Sequence, residues 1–331
     1  MTPVTPLGAR VAANRSLVIG AALLVALSLA GAFVVDGFLS VANLRSMLLL
    51  AAFLGLASLG QTMCALLGGL DLSIPYVIGA ANILLPTLLS AGWPPSLAIL
   101  LLVIIGVIVG VLNGVLTFRV QGQALIMTLG MGLAVVGAAQ IVTSNGAIEG
   151  GNNFGSVPAW LSSFASIAGS AFGLPVPGVV LIWVLISIAI VAIMSNTWFG
   201  RSFYALGGSR VAAARLSISE RRLWVAAYAI SGGMSAFTGV ALLGFSGGGF
   251  VGVGDPYLFT TVAAVVIGGT SLLGGWGGYG ATVIGVLVLT VLTTLLVGLG
   301  LSYAAQQAVF GLLIVPMVAF YARSPHIRMQ I

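Results

Sequence analysis

The sequence predicts an all-α polytopic membrane protein. About ten transmembrane helices are expected, some broken or re-entrant, with both termini cytoplasmic. Three observations lead there. Of the 331 residues, 60% are hydrophobic and 5% charged, against about 45–50% and about 25% in a soluble domain. Mean hydropathy is +1.22. The apolar residues fall into runs close to the length a bilayer demands, about 20 residues. The charges, finally, lie between the runs. Together these exclude a soluble enzyme, a disordered chain and a nucleic-acid-binding domain.

In chain order the runs are residues 17–35, 47–67, 75–91, 96–118, 124–143, 178–194, 223–244, 257–269, 280–300 and 304–321. The first follows Arg10 and Arg15 and ends near Ala30-Gly31-Ala32, as a signal peptide would. A signal core is about 7–15 residues, and this run is longer, so an uncleaved first helix is expected. Expected boundaries are a cytoplasmic tail at 1–16, a transmembrane domain at 17–321 and a cytoplasmic tail at 322–331.

Arginine supplies all eleven basic residues, and cytoplasmic loops are enriched in them. With the N-terminus inside and ten crossings, Arg10, Arg15, Arg119, Arg201, Arg210, Arg215, Arg221, Arg222, Arg323 and Arg328 fall inside. Arg45 alone falls outside, with Asp36, Glu149 and Asp255. The net charge of +6 therefore reads as a topology signal, not as a nucleic-acid footprint. Two loops are long. Residues 144–177 are predicted periplasmic, with a short surface helix at 158–168. Residues 195–222 are predicted cytoplasmic.

Several chemistries are excluded by counting. A phosphate-binding P-loop needs a lysine, and the chain has none. If ATP drives this protein, another chain binds it. Cys64 and His326 are single, so no His/Cys cluster has metal-ligand spacing. No catalytic residue, metal or cofactor is expected.

Two glycine-rich breaks interrupt the apolar pattern. Gly68-Gly69-Leu70-Asp71-Leu72-Ser73 is the first. Glycines let the backbone turn, Asp71 or Ser73 can cap the next helix, and Pro75 is tolerated in its first turn. Beside that capping reading stands a functional one, a gate or solute contact, because intramembrane acids are costly. The second break is Gly268-Gly269-Thr270-Ser271-Leu272-Leu273-Gly274-Gly275, after a run of only about 13 residues. Interrupted segments in corresponding places of two halves mark a transporter core; close helix packing by small residues is the other reading. Residues 246–254, rich in glycine, lack the strand and helix a dinucleotide loop needs. They are expected to form a flexible outer loop that touches a partner. Residues 205–218, Ala-Leu-Gly-Gly-Ser-Arg-Val-Ala-Ala-Ala-Arg-Leu-Ser-Ile, predict a short helix capped by Ser209. A partner's groove would receive it, or it is a solvated basic loop.

These motifs resemble one family. Residues 68–73 match the pattern G-G-[IL]-D-L-S, residues 205–218 resemble A-x-G-x-N-x-x-A-A-x-x-x-G-I, and residues 263–275 match A-A-V-V-I-G-G-T-S-L-x-G-G. The chain resembles, from about residue 38 to 321, the permease subunits of bacterial monosaccharide ABC importers of the ribose/xylose/galactose type. It departs from the patterns at Ser209 (usually Asn), Ser217 (usually Gly), Pro75 (often Gly), and Leu258 and Thr260 (often acidic).

The resemblance implies a multi-pass inner-membrane permease with no catalysis of its own. Its partners would be an ATP-binding subunit, often of tandem domains, a second permease copy or a paralogue, and a periplasmic sugar-binding protein. Coupling to the ATPase would fall on Gly207, Gly208, Ala212, Ala213, Arg215 and Ile218, and Ala213→Arg is expected to block docking. A neutral sugar needs hydrogen-bonding groups and small residues along its path. The candidates are Gln61, Asp71, Ser73, Asn82, Asn113, Gln123, Gln140, Thr270 and Ser271. Membrane lipid is the other expected partner, and nucleic acid is not one. The alternatives are an ion-coupled secondary transporter, with Asp71 as its acid, and a branched-chain amino-acid ABC permease.

Overall fold

The computed structural model describes residues 15–120, 123–144, 152–155, 157–171 and 173–321. Arg10, Glu149, Arg323, His326 and Arg328 lie outside them, as do residues 1–14 of the first predicted tail and all of the second, 322–331.

Every apolar run is helical. The helices are α1 (Arg15–Val34), α2 (Val41–Leu66), α3 (Ile74–Ser90), α4 (Pro95–Arg119), α5 (Ala124–Ser144), α6 (Ala159–Ala165), α7 (Gly178–Asn196), α8 (Trp198–Gly208), α9 (Arg210–Arg215), α10 (Glu220–Ser246), α11 (Tyr257–Ile267), α12 (Tyr279–Gly298) and α13 (Tyr303–Tyr321). Among the described residues seven helices, α1, α2, α4, α5, α7, α10 and α12, are long and apolar enough to cross a membrane, whereas α3 and α11 are shorter.

α2 is the centre. It is buried along 89% of its apolar stretch, whereas α1 is buried along 11%. α10, α12, α11 and α7 surround it. The outer helices turn large apolar side chains outward, such as Phe33, Ile126 and Leu185, which suits a lipid solvent. α10 also lies along α4. Gly106, Gly110 and Gly114, four residues apart on α4, face Gly232, Tyr228 and Val225 on α10, and a methyl group at any of the three would strike backbone. Small residues at this period let two helix backbones approach closely.

The predicted outer loop is not free. Gly249–Phe250 (β2) pairs antiparallel with Asn152–Asn153 (β1), with Asn152 opposite Phe250. Asn82 Oδ1 accepts the Phe250 N–H at 2.8 Å. Below this the chain follows α3 back toward its start, where a methyl group at Gly79 would meet Val251 O and one at Gly254 would meet Pro75 O. The short turn Val251–Gly254 therefore re-enters the bundle, and α11 starts at the level where α3 starts. With 11 residues, α11 covers about 16 Å. That is why its run is short: it is a half-span. The expected surface helix is α6, although its Leu161 and Ala165 are buried.

Candidate functional site

The first break begins with a helix stop. After α2 the Gly68 N–H donates to Ala65 O and the Gly69 N–H to Cys64 O, both at 2.9 Å. Gly68 has φ +80°, the left-handed conformation that closes a helix end. Three elements then hold the backbone of the break. Gln61 Oε1 of α2 accepts the Asp71 N–H at 3.3 Å. Thr128 of α5 accepts the Leu72 N–H at 3.1 Å. Tyr228 of α10 donates to Leu70 O at 3.1 Å.

Asp71 folds onto Ser73 rather than capping α3. Its Oδ1 accepts from the Ser73 N–H at 2.9 Å and the Ser73 hydroxyl at 2.6 Å. Ser73 precedes α3 without a side-chain capping bond, and Pro75 stands in the first turn as expected. Asn113 Nδ2 of α4 donates to Ser73 Oγ at 2.8 Å.

This network is complete on one side only. Asp71 Oδ2, Asn113 Oδ1, Gln61 Nε2 and Ser231 Oγ are buried and have no hydrogen-bond partner. Ser231 lies beside the Asp71 carboxyl without reaching bonding geometry. Asp71 has no ion pair either; among the described residues the one salt bridge is Arg210–Glu220 at 2.9 Å. Unsatisfied buried polar groups cost about 1–3 kcal/mol each, and proteins keep few of them. Here four from four elements meet at one break. Such a cluster offers a donor, two acceptors and a hydroxyl that is both.

The second break opens with the same stop. The Gly269 N–H donates to Val266 O at 2.8 Å and the Thr270 N–H to Val265 O at 3.0 Å, with Gly269 at φ +86°. Gly269 is thus the counterpart of Gly68. Thr270 is buried, and its Oγ1 accepts the Gly278 N–H at 3.0 Å. Ser271 Oγ accepts the Leu273 N–H at 3.1 Å.

The two breaks touch, and α8 ends on them. The Gly275 N–H donates to Leu66 O, the last carbonyl of α2, at 2.9 Å. A methyl group at Gly207 would strike Leu66 O and come within 2.5 Å of Gly275 N. Tyr204 donates to Gly277 O at 3.0 Å. Burial pushes the Tyr204 hydroxyl pKa up, so this donor keeps its proton.

Beyond Gly208, Ser209 caps α9 by accepting the Ala212 N–H at 3.2 Å. Arg210 pairs with Glu220 and lies 5.5 Å over the Trp224 ring, which braces α9 against α10. Ala213 is fully buried, whereas Val211 and Leu216 are 67% and 68% exposed. Gly208, Ala212 and Arg215 are exposed, and Ile218 is half-buried. An arginine at Ala213 would therefore break the α9 seat rather than the outward face.

The structure brings Gln61, Asp71, Ser73 and Asn113 together. It does not bring the other candidates there. Asn82 is engaged twice, donating to Gly239 O at 3.0 Å and accepting from Phe250. Gln123 and Gln140 are exposed on α5 or beside it. Thr270 and Ser271 belong to the second break. Sequence reasoning missed Ser231, Tyr228 and Thr128. A signal existed: Tyr228, Ser231, Ser235 and Thr238 form a buried polar stripe on α10, at the spacing of one helix face.

A multi-pass helical membrane protein with two broken segments locked at one end is the class this architecture defines. The chain belongs to the family described as branched-chain amino acid transport system / permease component, which matches residues 43–318. It is a transport component, not an enzyme. The probable ABC transporter permease protein YphD of Escherichia coli K12 is 35% identical over 282 residues, 85% of this chain and 82% of that protein. The ribose import permease protein RbsC of Bacillus subtilis 168 is 34% identical over 278 residues, 84% of each. The autoinducer 2 import system permease protein LsrD of Escherichia coli K12 is 30% identical over 278 residues, 84% and 83%. No solved structure matches the chain significantly.

Proposed function

We propose that this chain is the permease subunit of an ATP-driven ABC importer in a bacterial inner membrane. It would form the pathway for a monosaccharide or similar small polar solute delivered by a periplasmic binding protein. The observation that carries the reading is the half-satisfied cluster of Gln61, Asp71, Asn113 and Ser231. Its spare donor and acceptors, with no cation beside them, suit the hydroxyls of a neutral polyol. The named import of ribose by one relative supports the same class. An amino-acid solute would call for an arginine or a free positive helix end at its carboxylate; the cluster holds no arginine, and the Asp71 carboxyl already lies at the start of α3.

The α8–α9 end would face the cytoplasm, in keeping with its arginines, and residues 195–222 would receive an ATP-binding subunit, often of tandem domains. Val211 and Leu216 offer it an apolar contact on a helix braced by Arg210. Its stroke would reach Gly207, and through Gly207 both breaks. A second permease copy or a paralogue would complete the pathway. Gln123, Gln140 and Asn82 would then contribute only where the two permeases or the outer segment meet the solute.

The test is to purify the tagged chain gently from native membranes and assay ATP hydrolysis and solute uptake after reconstitution. A co-purifying ATP-binding subunit with vanadate-sensitive uptake is expected. Val211→Glu should lower ATPase association without unfolding the chain, whereas Ala213→Arg should lower its folded yield. Asp71, a buried carboxyl without a counter-ion, favours one second reading, an ion-coupled transporter. Uptake that an uncoupler abolishes with ATP held constant, and no associated ATPase, would establish that reading instead.

A further inference from the structure

α2 spans about 39 Å over its 26 residues. Its first turns therefore lie at the opposite side of the bundle from Leu66 and the α8 junction. There α2, α6 with its following turn, and the end of α10 border an open cavity of about 630 Å³. Arg45, Ser162, Ser166 and Ser246 supply its polar lining. Arg45 donates one terminal N–H to Gly169 O at 2.7 Å, while its buried Nε–H has no partner. Ser166 Oγ accepts the Ala168 N–H at 3.2 Å, so its own proton remains to be given. Among the described residues, no carboxylate lines the cavity. A fixed positive charge with donors and no acid is the chemistry that holds an oxyanion.

The surroundings say where that oxyanion comes from. Leu44 and Leu48 flank Arg45 on α2 and are 40% and 39% exposed, and Phe245 at the rim is 41% exposed. Leu48 shares the Arg45 face, three residues deeper into the helix. Arg45 itself lies about 6 Å inside the end of α2, at the depth where headgroups meet acyl chains. An anion from solution has no use for an apolar apron; a phospholipid does. Basic pockets between membrane helices suit anionic headgroups.

We propose that this pocket binds the phosphate of an anionic phospholipid, held by Arg45 and the cavity serines, with an acyl chain along Leu44 and Leu48. That the leaflet is the outer one rests on the orientation proposed above; the lipid site does not.

The experiment uses the purified full chain, stripped of lipid in detergent. Native mass spectrometry and thermal unfolding are followed with phosphatidylglycerol, phosphatidylcholine, inorganic phosphate and glutarate as probes. Phosphatidylglycerol should stay bound and raise the unfolding temperature, with phosphatidylcholine weaker by about tenfold, a difference of about 1.4 kcal/mol. Arg45→Gln should lose that preference. Because it also alters the bond to Gly169, Ser162→Asp serves as the second variant. It places a carboxylate in the cavity, leaves Arg45 in place, and should expel phosphatidylglycerol. Equal binding of the two lipids, or full binding in both variants, overturns the proposal. So does an equal shift with phosphate or glutarate alone, which would assign the pocket to a soluble anion or a partner's acidic side chain. Absence of an associated ATPase would overturn the importer reading and leave this result untouched.

Discussion

The two breaks end their helices alike and then part. Gly68 and Gly269 have φ +80° and +86°, and each is followed by an N–H that donates to a carbonyl five residues back. After that, the first break takes only a few residues to reach α3. It is buried, and it carries an acid and a serine bonded to each other. The second is longer, has positive φ at Gly274, Gly275, Gly277 and Gly278, and leaves Leu273 and Trp276 56% and 65% exposed. Its contacts run through backbone to α2 and α8. The same helix stop thus serves two ends. One break gathers polar side chains in the interior, and the other is a backbone joint on the α8 side. Chemistry and mechanics are divided between them.

The strongest challenge to that division is steric. Gly207 lies where α8 meets both breaks, and its neighbours are the Leu66 carbonyl and Gly275 backbone. Backbone cannot step aside as a side chain can. Gly207→Val should cost about 1–3 kcal/mol or more by overpacking and lower uptake by about a hundredfold, or about 2.7 kcal/mol. Uptake in vesicles, with folded yield followed by size-exclusion chromatography, checks this. Normal uptake would show that the joint does not transmit motion.

Asp71→Asn asks the complementary question of the first break. Asparagine keeps Oδ1 as an acceptor for Ser73, so the turn should hold. The buried carboxyl disappears, and removing an unpaired ionisable group does not destabilise by itself. Thermal stability should remain within about 1 kcal/mol, while uptake falls by about tenfold. A loss of stability without a specific loss of uptake would make the cluster structural and erase the contrast.

Tyr204→Phe is a milder cut at the second break. It removes one hydrogen bond to Gly277 O, worth about 1 kcal/mol net. Since burial pushes the Tyr204 hydroxyl pKa up, the folded chain keeps this proton while the unfolded chain loses it, and the wild type should lose stability as pH rises through about 10, where a free tyrosine ionises. The variant should therefore show lower stability at neutral pH and no pH-dependent change of its own. Thermal melts at two pH values read both effects.

Much of this was legible because membrane helices announce themselves. Each apolar run became a helix, and both breaks fell where glycine interrupted the runs. Length also told: the short run before Gly268 is the half-span α11. What the sequence concealed was contact between distant segments. Ser231 lies beside Asp71 across the bundle, and no local pattern links them. That Gly68 and Gly269 close their helices alike depends on dihedral angles that the letters do not carry. Residues 246–254 looked like a free loop because glycine is read as flexibility. Here glycine instead allows close approach, with Val251–Gly254 lying against α3 backbone. Ala213 looked like a docking residue because small residues suit grooves, but the groove it fills is internal.

The smallest predicted effect follows from a departure noted in the sequence itself. Ser217 stands where the family pattern has glycine, and it has φ +56°, the one positive φ at a non-glycine residue among those described. The end of α9 explains the preference. The Ile218 N–H donates to Ala213 O at 3.1 Å and the Ser217 N–H to Ala214 O at 3.0 Å, the closure that puts its penultimate residue in the left-handed region. A side chain there costs about 1 kcal/mol, although glycine gives part of this back by loosening the unfolded chain. Ser217→Gly should therefore stabilise the α9 turn by a few tenths of a kcal/mol up to about 1 kcal/mol, and uptake should be unchanged or slightly raised. Hydrogen exchange at Ile218 reads the turn directly. Slower exchange in the variant would mean that the strain lies in the turn that links α9 to α10. Unchanged exchange would mean that Arg210 and Glu220 already hold the turn, and that the bracing of the joint comes from α10 instead.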